Sequence, residues 1–194
     1  AFPVTITPKA VTPKLSVEPD KKMYDGSTDL AADQKAAITL DGVIPADAGK
    51  VSATIGSIAY DAADSGERTI TASGIELTGD QKDNYELSAV PCTAKSSITP
   101  YTGEVSVQEN ITTRSYTGAA QPLQEGELVL TANGKTLQSG KDYTITYPHG
   151  CTGTENADAE ISYTLIGKGN YAGCTFTGST FTNNTSKFTI LARP

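Results

Sequence analysis

The chain has 194 residues, 37% hydrophobic and 19% charged, with 18 glycines, 10 prolines, no tryptophan and a net charge of -7. Through Thr99 it holds 9 basic against 14 acidic residues, and after it 6 against 8, so neither half offers the basic face a phosphate backbone requires and nucleic acid is not an expected partner. No apolar run reaches the length of a membrane span, and the opening Ala1-Phe2-Pro3-Val4 lacks a charged segment followed by an apolar one, so any targeting or anchoring signal is expected elsewhere in a longer chain.

The length is close to that of two ordinary domains. Abundant Thr, Ser, Gly, Val, Ile and Tyr is a strand-and-turn composition. Inward and outward residues alternate in Val51-Ser52-Ala53-Thr54-Ile55, Arg68-Thr69-Ile70-Thr71-Ala72, Tyr143-Thr144-Ile145-Thr146-Tyr147, Ile161-Ser162-Tyr163-Thr164-Leu165 and Lys187-Phe188-Thr189-Ile190. Turn signals lie between them at Asp25-Gly26, Asp41-Gly42, Asn133-Gly134, Ser139-Gly140 and Gly167-Lys168-Gly169-Asn170. Residues 28–37 hold enough helix formers for one helical turn.

Self-similarity organises these elements. Ile6-Thr7-Pro8 recurs as Ile98-Thr99-Pro100, and Thr189-Ile190 stands a further 92 residues on. The same offset of 92 relates Lys22-Met23-Tyr24-Asp25-Gly26 to Arg114-Ser115-Tyr116-Thr117-Gly118. Further in, Gly49-Lys50 matches Gly140-Lys141 at 91, Tyr60 matches Tyr147 at 87, and Asn84-Tyr85 matches Asn170-Tyr171 at 86. Ordered pairs with a slowly drifting offset define a tandem pair. Residues 1–8, which have the form of the closing strands at Ile98 and Ile190, are expected to be the tail of a preceding repeat. Residues 9–100 and 101–194 are the two modules, each expected to be a β-sandwich, with stiff proline-bearing joints near Pro8 to Pro13 and at Thr99-Pro100.

The first module resembles the YDG-type repeats of large bacterial surface proteins. The resemblance rests on Lys22-Met23-Tyr24-Asp25-Gly26-Ser27-Thr28 near its start and Gly79-Asp80-Gln81-Lys82-Asp83-Asn84-Tyr85-Glu86-Leu87 before its closing strand. The other module resembles a related Ig-like surface repeat, through Ser115-Tyr116-Thr117-Gly118, Gly140-Lys141-Asp142-Tyr143 and Gly167-Lys168-Gly169-Asn170-Tyr171. The resemblance implies secretion to the cell surface, tandem arrays and an all-β fold of two tandem Ig-like β-sandwiches. It supplies no catalytic or ligand residues. The insertion at 174–186 and the three cysteines depart from it.

No constellation of catalytic type stands out. His149 is the sole histidine, in Tyr147-Pro148-His149-Gly150-Cys151, so a multi-histidine metal site has no second ligand of its kind and any Ser-His-Asp triad, or a Cys-His dyad with Cys151, would have to use His149 itself; a plain loop is the expected reading. Asp61 and Asp64, like Asp80 and Asp83, lack the ordered acidic loop that calcium requires and read as solvated loop acids. Tyrosines matched between the modules are expected to pack in the core with the hydroxyl on a backbone group. The unmatched Tyr101, Tyr143 and Tyr163 are the first places to seek a ligand, because a Tyr ring can stack on a sugar face. Cys151 and Cys174 lie 23 residues apart; a bridge between them and free thiols are both open. A Lys-Asn crosslink, from Lys14 or Lys22 to Asn84, is a minor alternative, and Asn110-Ile111-Thr112 and Asn183-Asn184-Thr185 have the glycosylation spacing. The expected role is a non-catalytic stalk at the cell surface, with no enzyme activity, cofactor, metal or catalytic residue. Its partners would be neighbouring repeats, and the alternative is an adhesin for a host or matrix glycan or protein, with the 174–186 insertion as its preferred binding patch.

Overall fold

A computed structural model describes residues 5–111, 113–149, 151 and 159–192. Residues 1–4 of the expected tail, Thr112 of the first Asn-x-Thr triplet and Gly150 beside His149 lie outside the described residues. The protein is all-β: the described residues form seventeen strands and three single 3-10 turns, with no α-helix. The chain divides into two compact units, 1–99 and 100–194.

In chain order the first unit holds β1 (Lys9–Glu18), β2 (Lys21–Met23), β3 (Lys35–Asp41), β4 (Ser52–Thr54), β5 (Ser57–Tyr60), β6 (Gly66–Ser73), β7 (Glu76–Thr78), β8 (Tyr85–Leu87) and β9 (Cys92–Thr99). They form two sheets, β3-β1-β8 and β2-β9-β6-β5, and a separate β4-β7 ribbon. Side chains from both sheets share one core: Val17, Leu15 and Ala36 of the first meet Tyr60, Ile70, Ile98 and Ile58 of the second. The ribbon fills the flank. Ala53, with Ile55 just after β4, packs among Leu15, Ile38, Ile58, Ala72 and Cys92.

The second unit holds β10 (Glu104–Glu109), β11 (Thr113–Ser115), β12 (Leu128–Ala132), β13 (Lys135–Thr136), β14 (Tyr143–Thr146), β15 (Glu160–Gly167), β16 (Thr175–Thr177) and β17 (Thr185–Leu191). Its sheets are β13-β12-β10-β16 and β11-β17-β15-β14. With β13 set aside, these repeat the first unit strand for strand. In each unit the first strand pairs antiparallel with the third and parallel with the one before last (β1 with β3 and β8, β10 with β12 and β16). In each, a short second strand pairs parallel with the last, placing Lys22 opposite Ile98 and Arg114 opposite Ile190. The repeat seen in the sequence is therefore a repeat of strand pairing, because burial of Ile98 and Ile190 at matched rungs fixes the same inward face.

Two local expectations change. Residues 28–37 form no helix: Lys35–Asp41 is β3, running antiparallel to β1. The helix formers Ala36 and Ala37 are small enough to lie against a neighbouring strand, and pairing overrides their weak propensity. Pro13 does not lie in a joint. It is buried inside β1, opposite Leu40 and past the end of the β8 ladder, where β1 is bounded by β3 alone and a proline is tolerated.

Candidate functional site

The most constrained polar positions are two cations at the matched positions Lys22, which is buried, and Arg114, which is largely enclosed. Only 1% of the Lys22 side chain is exposed. Its ammonium donates to the Asp25 carboxylate (2.9 and 3.1 Å), to the Ser27 carbonyl (3.0 Å) and to the Asp29 carbonyl (2.7 Å), and it lies 5.2 Å from the centre of the Tyr60 ring. The turn after β2 thus folds over the cation and supplies acceptors for its donors, which is what makes a buried lysine tolerable. In the second unit, Thr117 replaces the turn aspartate. Arg114 turns instead to Glu127, just before β12, and its guanidinium lies 5.6 Å from the centre of the Phe188 ring. Among the described residues its Nε is buried without a hydrogen-bond partner. A cation over an aromatic face is therefore kept while the counterion moves from the turn after β2 to the residue before β12.

Burial alone would raise the pKa of Asp25, but the Ser27 N–H bond and the Lys22 ammonium outweigh it and hold the carboxyl below the usual aspartate range. A depressed folded value contributes stability that is complete above the unfolded value, about pH 4, and is lost as pH falls through the folded one. The urea midpoint of the first unit should thus fall on acidification from about pH 4 downward, and Asp25→Asn should flatten that limb.

The polar cores differ rung for rung. In the first unit, Gln34 Nε2 donates to the Tyr60 hydroxyl (2.8 Å), which lies 2.9 Å from Ser96 Oγ, and Ser96 donates to the Asp20 carbonyl (2.8 Å). The rung of Ser96 is held in the second unit by Phe188, 92 residues on. Tyr147, the counterpart of Tyr60, is displaced to a half-buried place where its hydroxyl accepts the Leu123 N–H (2.7 Å). Conversely, the inward position of Val17 on β1 is taken on β10 by Glu109, 92 residues on. Its carboxylate accepts from the hydroxyls of Tyr163, Thr180 and Ser186. Tyr163 and Ser186 stand opposite each other on β15 and β17, so this cluster ties both sheets and the 174–186 insertion together. Burial and the bond to the Glu109 carboxylate push the Tyr163 hydroxyl well above its ordinary value.

Other candidates are placed as follows. Tyr143 and Tyr163 are buried, Tyr143 packing edge-on to Phe176 of the facing sheet, so they are core residues rather than ligand platforms. Tyr101 packs edge-on to Tyr171, and its hydroxyl donates to the Glu104 carbonyl. Of the matched tyrosines, Tyr60, Tyr85 and Tyr171 are buried and Tyr116 is exposed. Asp61 accepts the Thr69 N–H, and His149 is exposed in a turn. Lys14 pairs at the surface with Asp41, and Asn84 donates to Gln81, so neither lysine is joined to Asn84. Much of the insertion is folded inward: Cys174 and Phe176 are buried, and Asn184 Oδ1 accepts the Phe176 N–H (2.8 Å).

Cys92, Cys151 and Cys174 are all free thiols. Burial pushes Cys92 and Cys174 up from the ordinary thiol value, whereas Cys151 is only half-buried. A disulfide-exchange reagent at neutral pH should label Cys151 first in the native protein and reach the other two only on unfolding.

A cleft of about 670 Å³ opens in the second unit. Its walls include Leu128 of β12, Thr136 and Leu137 at β13, Tyr143 and Ile145 of β14, and the Glu125 loop. No group of three or more metal-ligating side chains occurs among the described residues.

The comparisons bear on the first unit. A YDG domain is found at residues 7–94, a little under half of the chain. No curated protein matches the chain in sequence. Among solved structures, it is similar to the crystal structure of the N-terminal part of the bacterial S-layer protein SbsC, at 16% identity and a TM-score of 0.28 over 94% of this chain. The match spans 44% of that structure, and superposition at this level does not define the fold.

Proposed function

We propose that the chain is a non-catalytic, load-bearing stretch of a bacterial cell-surface protein: two tandem Ig-like β-sandwich modules of a stalk. The observation that carries this reading is the parallel pairing of each unit's early and closing strands, Lys21–Met23 with Ser97 to Thr99 and Thr113–Ser115 with Thr189 to Leu191. Tension applied at the two ends of such a unit pulls parallel neighbours in opposite directions along their length. Several ladder hydrogen bonds are then loaded together in shear instead of being unzipped singly. A module under tension between neighbours benefits from that geometry, and a freely diffusing enzyme has no use for it.

The YDG domain supports a surface location, and the Lys22 ammonium is taken up by structural partners. Ile6, which matches the buried Ile98 and Ile190, is 91% exposed, consistent with a closing strand whose own module lies upstream. Neighbouring repeats are then its first partners. The reading assigns no catalytic, cofactor or metal residue. An adhesin is the second reading, supported by the cleft of the second unit. Antibodies raised against the fragment test the location: labelling of intact cells is expected, and labelling only after permeabilisation would contradict it.

A further inference from the structure

The two sheets of each unit carry the repeat differently on their outer faces. On β9 and β17 the outward residues Thr93 and Lys95 return 92 residues on as Thr185 and Lys187, and Ser97 returns as Thr189. Strand register extends the match to the neighbouring strands: Thr71, Thr69 and Glu67 stand opposite these three in the first unit, and Thr164, Ser162 and Glu160 in the second. The inward rungs of the same strands have mostly changed, with Ala94 answered by Ser186, Ser96 by Phe188 and Ile70 by Tyr163. The outer face of the other sheet serves as a control. There Lys14 is answered by Ser106, Ser16 by Gln108 and Lys35 by Glu127, and of the outward residues of β1 and β3 only Thr39 is repeated, as Thr131. Strand propensity favours threonine on both outer faces equally, so it does not explain why one face keeps its lysine and glutamate and the other does not. Exposed polar residues held fixed while the core beneath them varies mark a surface that makes contacts.

We propose that this matched face docks a second copy of the chain, sheet face to sheet face. The chain carries a net charge of -7, so two copies repel one another over most of their surface. Each matched face instead holds one lysine and one glutamate, exposed on neighbouring strands. In the second unit the two already pair, Lys187 Nζ lying 2.6 Å from Glu160 Oε1 with more than half of either side chain exposed. A two-fold axis in the plane of contact, passing between them, sets the lysine of either copy over the glutamate of the other, so the pattern is self-complementary. The hydroxyls around them, such as Thr164 and Thr185 with Oγ1 atoms 2.9 Å apart, can donate to or accept from the same hydroxyls on a facing copy. Two strands about 5 Å apart, with three outward residues each at ~7 Å spacing, give a face of roughly 200 Å², against about 800 Å² per partner in a stable complex. A single face therefore makes a weak contact, strengthened wherever many copies are held close together. The proposal does not rest on the load-bearing reading.

Backbone amide shifts of the 194-residue chain, followed from micromolar to millimolar concentration, test it. Concentration-dependent shifts are expected on β6, β9, β15 and β17, and not on β1, β3, β10 or β12. Two variants sharpen the result: Lys95→Glu with Lys187→Glu makes both faces acidic, and Glu67→Lys with Glu160→Lys makes both basic. All four side chains are exposed, so the fold should be retained, which unchanged urea midpoints check. Each variant alone should self-associate at least about tenfold more weakly, because like charges then face each other. An equimolar mixture of the two should recover the association. The basic variant lowers the overall negative charge, so its weakening separates a local contact from general repulsion. Absence of shifts at millimolar chain would overturn the proposal, as would shifts confined to the other sheet or an association indifferent to charge reversal. Shifts on the matched face that appear only when a soluble cell-wall polysaccharide fragment is added would overturn the second-copy assignment in favour of a glycan.

Discussion

Lys22→Ala is expected to destabilise the first unit by about 2–4 kcal/mol, from two carbonyls left without their buried donor and from the lost packing of the stem. The substitution leaves the Ser27 and Asp29 carbonyls facing a void, strips Asp25 of its counterion and removes the aliphatic stem that lies against Tyr60. A domain of this size has a total stability of roughly 5–15 kcal/mol, so the loss is a large part of it. Lys22→Met retains the stem and still abandons the acceptors, so it should recover only a minor share. Lys22→Arg should also be costly, because a planar fork cannot meet acceptors arranged around a compact ammonium. Urea unfolding resolved into two transitions measures all three: the first unit's transition moves and the second unit's stays. A shift under about 1 kcal/mol for Lys22→Ala would mean that the cation is not the organising centre of its turn.

Phe188→Ala is expected to cost the second unit about 3–5 kcal/mol, the usual penalty for emptying a buried aromatic site. Phe188 is fully enclosed, packs on Tyr163 with ring centroids 6.4 Å apart and lies beneath the Arg114 guanidinium. Its loss would leave both a cavity and a buried cation without the ring that faces it. Phe188→Leu should cost markedly less, since it refills most of the volume and forfeits chiefly the ring face. The same urea experiment reads the effect, now in the second transition. An equal loss from Leu and Ala would place the energy in the cation's contact with the ring rather than in packing.

Much of the architecture was legible because the same inward rungs recur. Ile98 and Ile190, or Lys22 and Arg114, are visible as repeats at one offset without knowledge of any sheet. Strands with strong alternation, such as β6, β14, β15 and β17, were legible for the same reason. β1 was obscured by Pro13, which reads as a joint when only the chain is considered, and β3 by Ala36 and Ala37, which read as helix formers. Their pairing partner is far along the chain or masked by proline, and local propensity carries no record of it.

The site was less legible. Tyr143 and Tyr163 were singled out as ligand candidates because they lack matched tyrosines, yet they occupy core rungs that the first unit fills otherwise. Tyr163 stands where the first unit has Ile70, and it comes with Glu109 in place of Val17 and Ser186 in place of Ala94. The exchange converts an apolar contact into a carboxylate held by hydroxyl groups, a coupled change that single-residue matching cannot detect. Lys22 was considered as a crosslinking partner, although its burial beside Asp25 gives it a different role.

The most direct test of the central claim, that each unit is built to carry tension between its ends, is single-molecule pulling of the fragment between handles at its termini. Two separate unfolding events are expected, each releasing roughly 300 Å of chain for about 90 residues. Each should occur at a force well above that needed when the same unit is pulled across the ends of one antiparallel pair, such as β5 and β6. Unfolding at no greater force in the end-to-end direction, or a gradual extension without distinct events, would contradict a load-bearing role.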